Sequence, residues 1–447
     1  MYLMITDMTV GKPSAVLWKY SLPMLLSIVF QQFYNIADSI IAGNFCGQDA
    51  LAAIGASYPV TMIFMAFATG INIGCSVVIS QLFGGKRFTE LKTAVSTSFA
   101  ATIVLSVLLT LFGVIFTDPM MQLLNTPDDI FSDGSLYLSI YIWGLLFLFL
   151  YNICNGIFSA LGDSKTPLYF LIASSLGNIV LDLLAVGVLN MGVAGVAWAT
   201  FAAQGAASIF AIITLLKRIK KIETNETPKR FSWHMLGTIS RIAVPSILQQ
   251  SFVSVGNLFI QGLVNSFGSA VIAGYSAAIK LNTFAITSFS TMSNGISNFT
   301  AQNIGAGKLD RVSKGFRAGV IMAACIVVPF TLLYILFSSS FIQLFMSDAT
   351  PDSIEAGVHF LIIVCPFYFA VAAKLMADGV LRGSGSMLCF MATTFTDLIL
   401  RVILAYIFAW LMNSADGIWL SWPVGWFISG VMSMIFYCTG CWKKKLQ

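Results

Sequence analysis

Two acidic residues lie inside apolar stretches of the chain, where an ionisable side chain needs a specific reason to be present. Asp38 stands near the end of an apolar run over residues 15–43, and Asp182 stands in a second run over residues 168–189. An ionised group at the centre of a bilayer costs about 2.5–3.5 kcal/mol on insertion scales. The first half of the chain offers no base at this depth. The two carboxyl groups must therefore stay protonated, bind an ion or contact water.

Polar side chains accompany both acids at helical spacing. Gln31, Asn35 and Asp38 follow the pattern i, i+4, i+7, which places them on one stripe of a helix. Asn178 and Asp182 are four residues apart and share a face of another helix. For one aspartate alone, a neutral carboxyl group bonded to a neighbouring helix explains the pattern equally well. Two acids at matching depth favour a functional site.

Depth adds a third segment to this group. At a rise of 1.5 Å per residue, Asp38, Asp182 and Thr200 all lie roughly 7–11 Å below the outer ends of their apolar runs. Carboxylate, amide and hydroxyl oxygens suit a hard cation, and the carboxylates also suit a proton. We predict a cation- or proton-binding site from these residues: Asp38, Asn35, Asn178, Asp182 and Thr200. A Na⁺ ion would use Asp38, Asn178, Asp182 and Thr200, with Gln31 and Tyr34 as supporting polar residues.

The elements that position these residues are predicted to be membrane helices. The 447-residue chain is 57% hydrophobic and 10% charged, with a mean hydropathy of +0.86, whereas soluble domains carry about 25% charged residues. A membrane helix needs about 20 mostly apolar residues. Twelve runs meet this length: 15–43, 51–80, 94–117, 136–158, 168–189, 193–216, 236–265, 270–298, 316–340, 357–381, 388–411 and 417–440.

The basic residues orient these spans. Three of the 24 Lys and Arg residues, Lys280, Lys374 and Arg401, lie deep within the runs. The others occupy the termini, the even-numbered connections and the adjoining run ends, where Lys19, Arg241 and Arg317 stand. The opposite loops carry acids: Asp118, Asp128, Asp129, Asp133, Asp348, Asp352 and Glu355. The positive-inside rule therefore predicts that both termini are cytoplasmic. The basic loops are interpreted as topology signals, and no nucleic-acid-binding motif is present.

The two halves of the chain resemble each other at a nearly constant offset. Pro23 matches Pro245 and Asn35 matches Asn257, and further glycine and glutamine pairs keep almost the same separation. Six spans return the chain to its starting side, so the copies are parallel repeats. The sequence predicts an all-α integral membrane protein with two pseudo-symmetric six-helix bundles around a V-shaped cavity. Its parts are an N-terminal lobe (1–216), a basic cytoplasmic linker (217–235) and a C-terminal lobe with a basic tail (236–447).

The second half contains charges that the first lacks. Lys374 and Asp378 are four residues apart, as are Asp397 and Arg401, so each pair can neutralise itself on one helix face. We predict a C-terminal charged network from these four and Lys280, more structural than functional. Lys280 has no partner in its own run, so it meets an acid across the bundle or reaches the interface.

Aromatic and methionine side chains could form adaptable walls for a substrate, although most such residues serve packing. The candidates are Phe33, Met65, Phe284 and Met292.

Short motifs resemble one transporter family. The motifs are Tyr34-Asn-Ile-Ala-Asp38 with Gly43 and Leu51-Ala-Ala, Gln81 with Gly84, and Gln302-Asn-Ile-Gly-Ala-Gly307. Together they are similar to the signatures of MATE (multidrug and toxic compound extrusion) transporters over essentially the whole chain. Asn178, Asp182 and Thr200 stand where the prokaryotic DinF-like branch keeps its cation and proton site. Other branches use acids in the seventh and tenth spans, where this chain has only Asp378 beside Lys374.

This resemblance implies a secondary active antiporter that works by alternating access. It would export amphipathic, often cationic drugs in exchange for H⁺ or Na⁺, as a monomer without another cofactor, in a bacterial or archaeal inner membrane. A lipid-linked precursor flippase or another twelve-span metabolite transporter is the alternative, and a channel is a third class. The flippase would be expected to carry a basic cavity. The sequence favours no enzyme, because the Gly305-Ala-Gly-Lys308 segment lacks the rest of a phosphate loop.

Overall fold

The computed structural model describes residues 6–41, 43, 45, 47–224, 226–346 and 350–443, which are mostly helical and contain no strand. Asp348, the basic tail beyond Lys443 and the side chain of Leu51 lie outside the described residues.

Seven helices and one π-helical turn make up the first repeat. They are α1 (Pro13–Ile41), α2 (Gln48–Gly84), α3 (Phe88–Leu123), α4 (Asp128–Trp143), α5 (Leu145–Ala160), α6 (Lys165–Asp182), the π-helical turn Leu183–Val188, and α7 (Gly192–Lys220).

Eight helices follow in the second repeat, with two short 3₁₀ turns. They are α8 (Trp233–Asn265), α9 (Ser269–Gly305), α10 (Leu309–Leu336), α11 (Ser338–Leu344), α12 (Pro351–Val364), the turn Cys365–Phe367, α13 (Tyr368–Gly383), α14 (Met387–Met412), α15 (Asp416–Cys438) and the turn Cys441–Lys443.

These helices confirm the predicted number of spans. In the described chain, eleven helical segments are long and apolar enough to cross a membrane. The pair α4 and α5, bent by 49°, makes a twelfth. The segments α12 and α13 together form one of the eleven. Each segment coincides with one predicted run.

The sequence repeat is also visible in the backbone. Gly47 and Gly268, at equivalent positions of the two copies, precede α2 and α9 with φ angles of 88° and 93°. Gly162 and Gly385, a second equivalent pair, have φ angles of 75° and 81° after α5 and α13. L-residues with a Cβ rarely adopt these angles, so glycine is required at the same turns in both copies.

The chain forms two compact units whose boundaries fall inside helices. One unit comprises Leu22–Leu248 with Asp7, and the other comprises Met8–Ser21 with the chain from Gln249 onward. The predicted lobes 1–216 and 236–447 follow the sequence repeat. The compact units instead exchange the first part of α1 for the first part of α8.

Two equivalent glycine contacts hold the exchanged segments. In the first unit, a Cβ at Gly74 of α2 would lie 2.7 Å from the Ala243 Cβ of α8. In the second unit, a Cβ at Gly295 of α9 would lie 2.7 Å from the Ser21 Oγ of α1. Ser21 and Ala243 each stand two residues before the matched prolines Pro23 and Pro245, so the same contact occurs once in each unit.

Polar contacts secure both exchanged segments at their starts. Arg311 donates to the carbonyl oxygens of Gly11 at 2.8 Å and Met8 at 3.2 Å in the second unit. In the first unit, the Ser232 N–H donates to Thr97 Oγ1 at 3.1 Å, just before α8 begins. These bonds join the entering chain to the adjacent helix ends.

We expect Gly74→Ala to destabilise the protein by about 1–3 kcal/mol, because the added methyl group would overlap both the Ala243 side chain and its backbone nitrogen at 2.9 Å. Gly262→Ala is the matched control, since nothing lies within 4 Å of a Cβ there. Thermal unfolding in detergent would show a lower midpoint for the first variant only. Equal midpoints would contradict the close packing of α2 against α8.

Candidate functional site

The two acids of the first unit meet at helix ends. Asp38 lies in the last turn of α1, and Asp182 is the final residue of α6, where the helix changes to the π-helical turn. Asp182 is fully buried and Asp38 is half-buried. Local π-helical turns often occur at functional sites because they re-aim the side chains beside them.

The carboxyl groups of Asp38 and Asp182 lie close enough to share a hydrogen bond. Such a bond needs a proton on one of them, because a carboxylate has no donor of its own. Two like charges 4 Å apart repel by about 4 kcal/mol at an effective dielectric constant of 20. The pair therefore requires one bound proton or a cation to remain in contact.

Asn178 connects the acid pair to two other helices. In the amide orientation that satisfies its neighbours, Asn178 Nδ2 donates to Asp182 Oδ2 at 3.0 Å and to the Tyr34 hydroxyl oxygen at 2.7 Å. Its Oδ1 accepts from the Thr200 N–H of α7 at 3.2 Å. The Tyr34 hydroxyl is also hydrogen-bonded to the Thr200 side chain. One amide thus links α1, α6 and α7.

Two carboxyl oxygens remain available in this site. Asp38 Oδ1 and Asp182 Oδ1 are buried, and neither has a hydrogen-bond partner among the described residues. Buried polar atoms are usually satisfied, so these oxygens are the natural contacts for a proton or a cation. No group of three or more His, Cys, Asp or Glu side chains suited to a metal ion occurs in the described chain.

The two candidate ions need opposite orientations of the Asn178 amide. The amide presents its NH₂ group to Asp182, which suits a carboxylate that shares a proton with Asp38. A Na⁺ ion would need oxygen ligands at that point. Coordination of Na⁺ by Asn178 would therefore require the amide to turn and release its bond from the Thr200 N–H.

Tyr137 of α4 is a neighbour that the sequence pattern did not indicate. It lies within electrostatic range of both Asp38 and Asp182. With Tyr141, Thr200 and other side chains it lines a void of about 10 Å³, which is near the size needed for one water molecule. The depth of Tyr137 in its predicted span could have suggested a place in the site, but an aromatic residue at that depth more often serves packing.

The other predicted polar residues of α1 occupy different positions. Asn35 is exposed, and its Nδ2 donates to Gln32 Oε1 at 3.2 Å. Tyr34, four residues before Asp38, makes the α1 contact with Asn178. Gln31 lies one turn further back and lines a cavity beside the site. A role for Asn35 in ion binding stays a prediction.

A cavity of about 350 Å³ lies within the first unit and ends at this network. Its wall is formed by uncharged side chains: Ser27, Gln31, Tyr34, Met65, Leu148, Tyr151, Asn152, Asn155, Pro167, Leu171, Ser174, Ser175, Asn178, Thr200, Ala203 and Gln204. Small-molecule sites typically occupy about 300–1,000 Å³. Tyr34, Asn178 and Thr200 therefore belong to both the cavity wall and the acid network.

Of the four predicted substrate residues, only Met65 lines this cavity. Phe33 is 66% exposed on α1. In the second unit, Met292 is fully buried, and the half-buried Phe284 packs its ring against Phe330 at a centroid distance of 5.4 Å. Both of these side chains serve the packing of α9.

The charged residues of the second unit form a neutralised network. Lys374 Nζ donates to Asp378 Oδ2 at 2.8 Å. Asp378 Oδ1 accepts from Thr393 at 3.1 Å and from Ser433 at 2.7 Å. Lys374 also lies within electrostatic range of Asp397. One ammonium group therefore serves two carboxylates.

The Asp397 and Arg401 side chains do not form a close ion pair. Asp397 Oδ1 is buried without a hydrogen-bond partner among the described residues, and the Arg401 guanidinium lies 4.4 Å from the Trp422 ring centroid. Arg382 directly follows the predicted run 357–381 and so belongs to a predicted cytoplasmic connection, yet it is buried and donates to Asn294 Oδ1 at 2.7 Å. Its burial depends on tertiary packing, so no local pattern indicated it.

Three comparisons with known proteins bear on this arrangement. The MatE family model matches residues 23–184 and 245–407, two segments that begin at the matched prolines Pro23 and Pro245. The double match confirms the duplication. Together the segments cover well over half of the chain.

Similar proteins share nearly the full length. The chain is 28% identical to the probable multidrug resistance protein YpnP of Bacillus subtilis, over 98% of this chain and 97% of that protein. It is 26% identical to a protein named FAD transporter from Shewanella oneidensis, over 78% of each. A solved structure of an outward-facing multidrug resistance MATE family transporter has a TM-score of 0.93 at 21% identity, covering all of both chains.

We expect Asn178→Ala to lower the stability of the first unit by about 1–3 kcal/mol, because Asp182 Oδ2 loses its buried donor and the Tyr34 hydroxyl loses a partner. Asn35→Ala is the matched control on an exposed amide and should be nearly neutral. Thermal unfolding at constant pH in detergent measures both. A larger effect at Asn35 would contradict this assignment.

We expect Asp378→Asn to destabilise the protein by about 3–5 kcal/mol, because Lys374 would keep a buried charge without its hydrogen-bonded partner. The double variant Lys374→Met with Asp378→Leu should recover part of this loss, since an apolar pair can replace a buried ion pair, although Asp397 then loses the nearby ammonium group. Unfolding midpoints that fall further in the double variant would contradict this account of the pair.

Proposed function

The chain belongs to the MatE family of multidrug efflux transporters, and from this premise we propose that it is an antiporter that exports amphipathic compounds in exchange for H⁺ or Na⁺. Proteins of this family are multi-pass membrane transporters, not enzymes. The proposal adds the coupling ion, the Asp38–Asp182 site and a bacterial or archaeal inner membrane with both termini in the cytoplasm. The chain would act as a monomer on drugs and organic cations.

One observation carries the coupling argument. Asn178 donates to Asp182 and is bonded to Tyr34 and Thr200, and all three of these residues also line the 350 Å³ cavity. A compound in the cavity would compete for the same hydrogen-bonding groups that hold the ion-loaded acids. Ion binding and compound binding are then mutually exclusive, which is what exchange requires.

A proline lies where α1 passes from one compact unit to the other. The unit boundary follows Ser21, and Pro23 is two residues further along the helix. Proline has no N–H to donate to the preceding turn, which lowers the cost of bending there. We infer that loading of Asp38 is accompanied by a change in α1 near Pro23. A membrane potential of 100 mV supplies about 2.3 kcal/mol for each charge moved.

A metabolite exporter is the second candidate. The Shewanella relative named FAD transporter shows that similar sequences are not all named for drugs. The two candidates share the fold and the ion site, and differ only in the compound. Measuring which compounds compete with a fluorescent substrate separates them.

We expect proteoliposomes to move ethidium when a pH or Na⁺ gradient is imposed. Asp38→Asn and Asp182→Asn should each reduce gradient-driven transport about 100-fold or more, because the pair could no longer share one exchangeable proton. Asp310→Asn, at an exposed acid in the first turn of α10, is the matched control and should transport normally. Normal transport by both site variants would refute the proposed coupling site.

A further inference from the structure

Helix α9 differs from the other long helices of the second unit in what it exposes. Across its 37 residues, none of the large apolar side chains is exposed. The neighbouring long helices expose several each, for example Phe259 of α8, Ile321 of α10 and Trp410 of α14. A helix in contact with hydrocarbon needs such side chains. The exposed side chains of α9, Ser269, Ser276, Lys280 and Thr283, are instead all polar.

The accessible face of α9 is a row of polar residues. They recur at intervals of three and four and so share one helix face: Ser276, Lys280, Thr283, Thr287, Ser290 and Asn294. The first three are exposed and the last three are half-buried. A membrane helix with a polar accessible stripe and no exposed large apolar residue faces water. We call this row the α9 polar face.

Lys280 is the one charged residue of α9. It lies 11 residues after the start of the helix at Ser269, about 16 Å along the helix axis. Its Nζ lies 5.7 Å from the ring centroid of Phe345. No acid among the described residues forms an ion pair with it. The predicted partner acid across the bundle is thus not found among the described residues, and a reach of Lys280 toward the interface stays a prediction.

We propose that Lys280 is a specificity-determining residue, which binds the carboxylate group of those transported compounds that carry one. The ammonium group supplies a single positive charge and up to three donors. The Phe345 ring, 37% exposed, offers an apolar surface beside it. The hydroxyl groups of the α9 polar face can accept or donate to the rest of the compound.

A carboxylate fits this site better than a phosphate. A phosphate group is usually held by several cations or by a bidentate arginine. The α9 polar face has one lysine, and the Arg382 guanidinium group that reaches this face is already bonded to Asn294. One positive charge matches one carboxylate. This inference rests on the proposed transport function, but it concerns the ligand rather than the coupling ion.

The test uses two dyes that share one fluorophore, tetramethylrhodamine with a free carboxylate and its ethyl ester without one. Fluorescence anisotropy measures binding to the detergent-solubilised full chain, and gradient-driven efflux is measured in proteoliposomes. We expect Lys280→Gln to weaken binding and efflux of the free acid by about tenfold or more, the effect of losing a hydrogen bond to a charged group. The ester should be unaffected.

Two further variants separate recognition from structure. Lys280→Arg keeps the positive charge and should retain most binding of the free acid. Lys314→Gln removes an exposed lysine from the start of α10 and should change neither dye. Thermal unfolding of each variant shows whether the fold is intact.

The outcomes distinguish this inference from the proposed function. Equal binding of acid and ester by the wild type, or an equal loss of both dyes in Lys280→Gln, would overturn the role of Lys280 while leaving antiport intact. Selective acid binding that needs Lys280, without efflux under any gradient, would support the ligand assignment and overturn the antiporter proposal.

Discussion

The candidate site of the first unit depends on two carboxyl groups that lie close enough to share a hydrogen bond and have no basic partner. Asp38 and Asp182 remain together only if something positive is shared between them, because burial removes the water that would otherwise separate their charges. The protein supplies a neutral donor to Asp182 through Asn178, which is also bonded to Tyr34, and leaves one oxygen of each acid without a partner in the described chain. The site is thus built to be completed from solution.

In the second unit, by contrast, a basic side chain of the protein itself lies beside the buried acids. The ammonium group of Lys374 is hydrogen-bonded to Asp378 and lies within electrostatic range of Asp397, the second buried acid of this unit. A lysine side chain is a cation that cannot leave, whereas a proton or Na⁺ can. Ile260, at the repeat position of Asp38, is buried and apolar, so the proposed ion site has no counterpart at that position of the second unit. Duplication supplied the scaffold twice, and the ionisable residues then made the halves different.

The spans and the repeat can be predicted from sequence because hydrocarbon fixes the length and polarity of each helix. Spacing and depth also place Asp38 and Asn178 in one site. Spacing alone cannot tell whether Tyr34 or Asn35 contacts the site, because residues three and four positions before Asp38 both lie near the same helix face. Tyr137 comes from a helix whose rotation is set by packing. Spacing within one helix therefore gives candidates, and contacts between helices select among them.

The reciprocal placement of α1 and α8 has a consequence for biosynthesis. The groove that Gly70 and Gly74 form on α2 is covered by Ile247 and Ala243, which the ribosome makes only after the whole of the first repeat. The six spans of the first repeat therefore cannot bury that groove by themselves. Until α8 has been synthesised, this groove of α2 is open to lipid or to the insertion machinery. The packing of the first repeat is therefore completed only by the second.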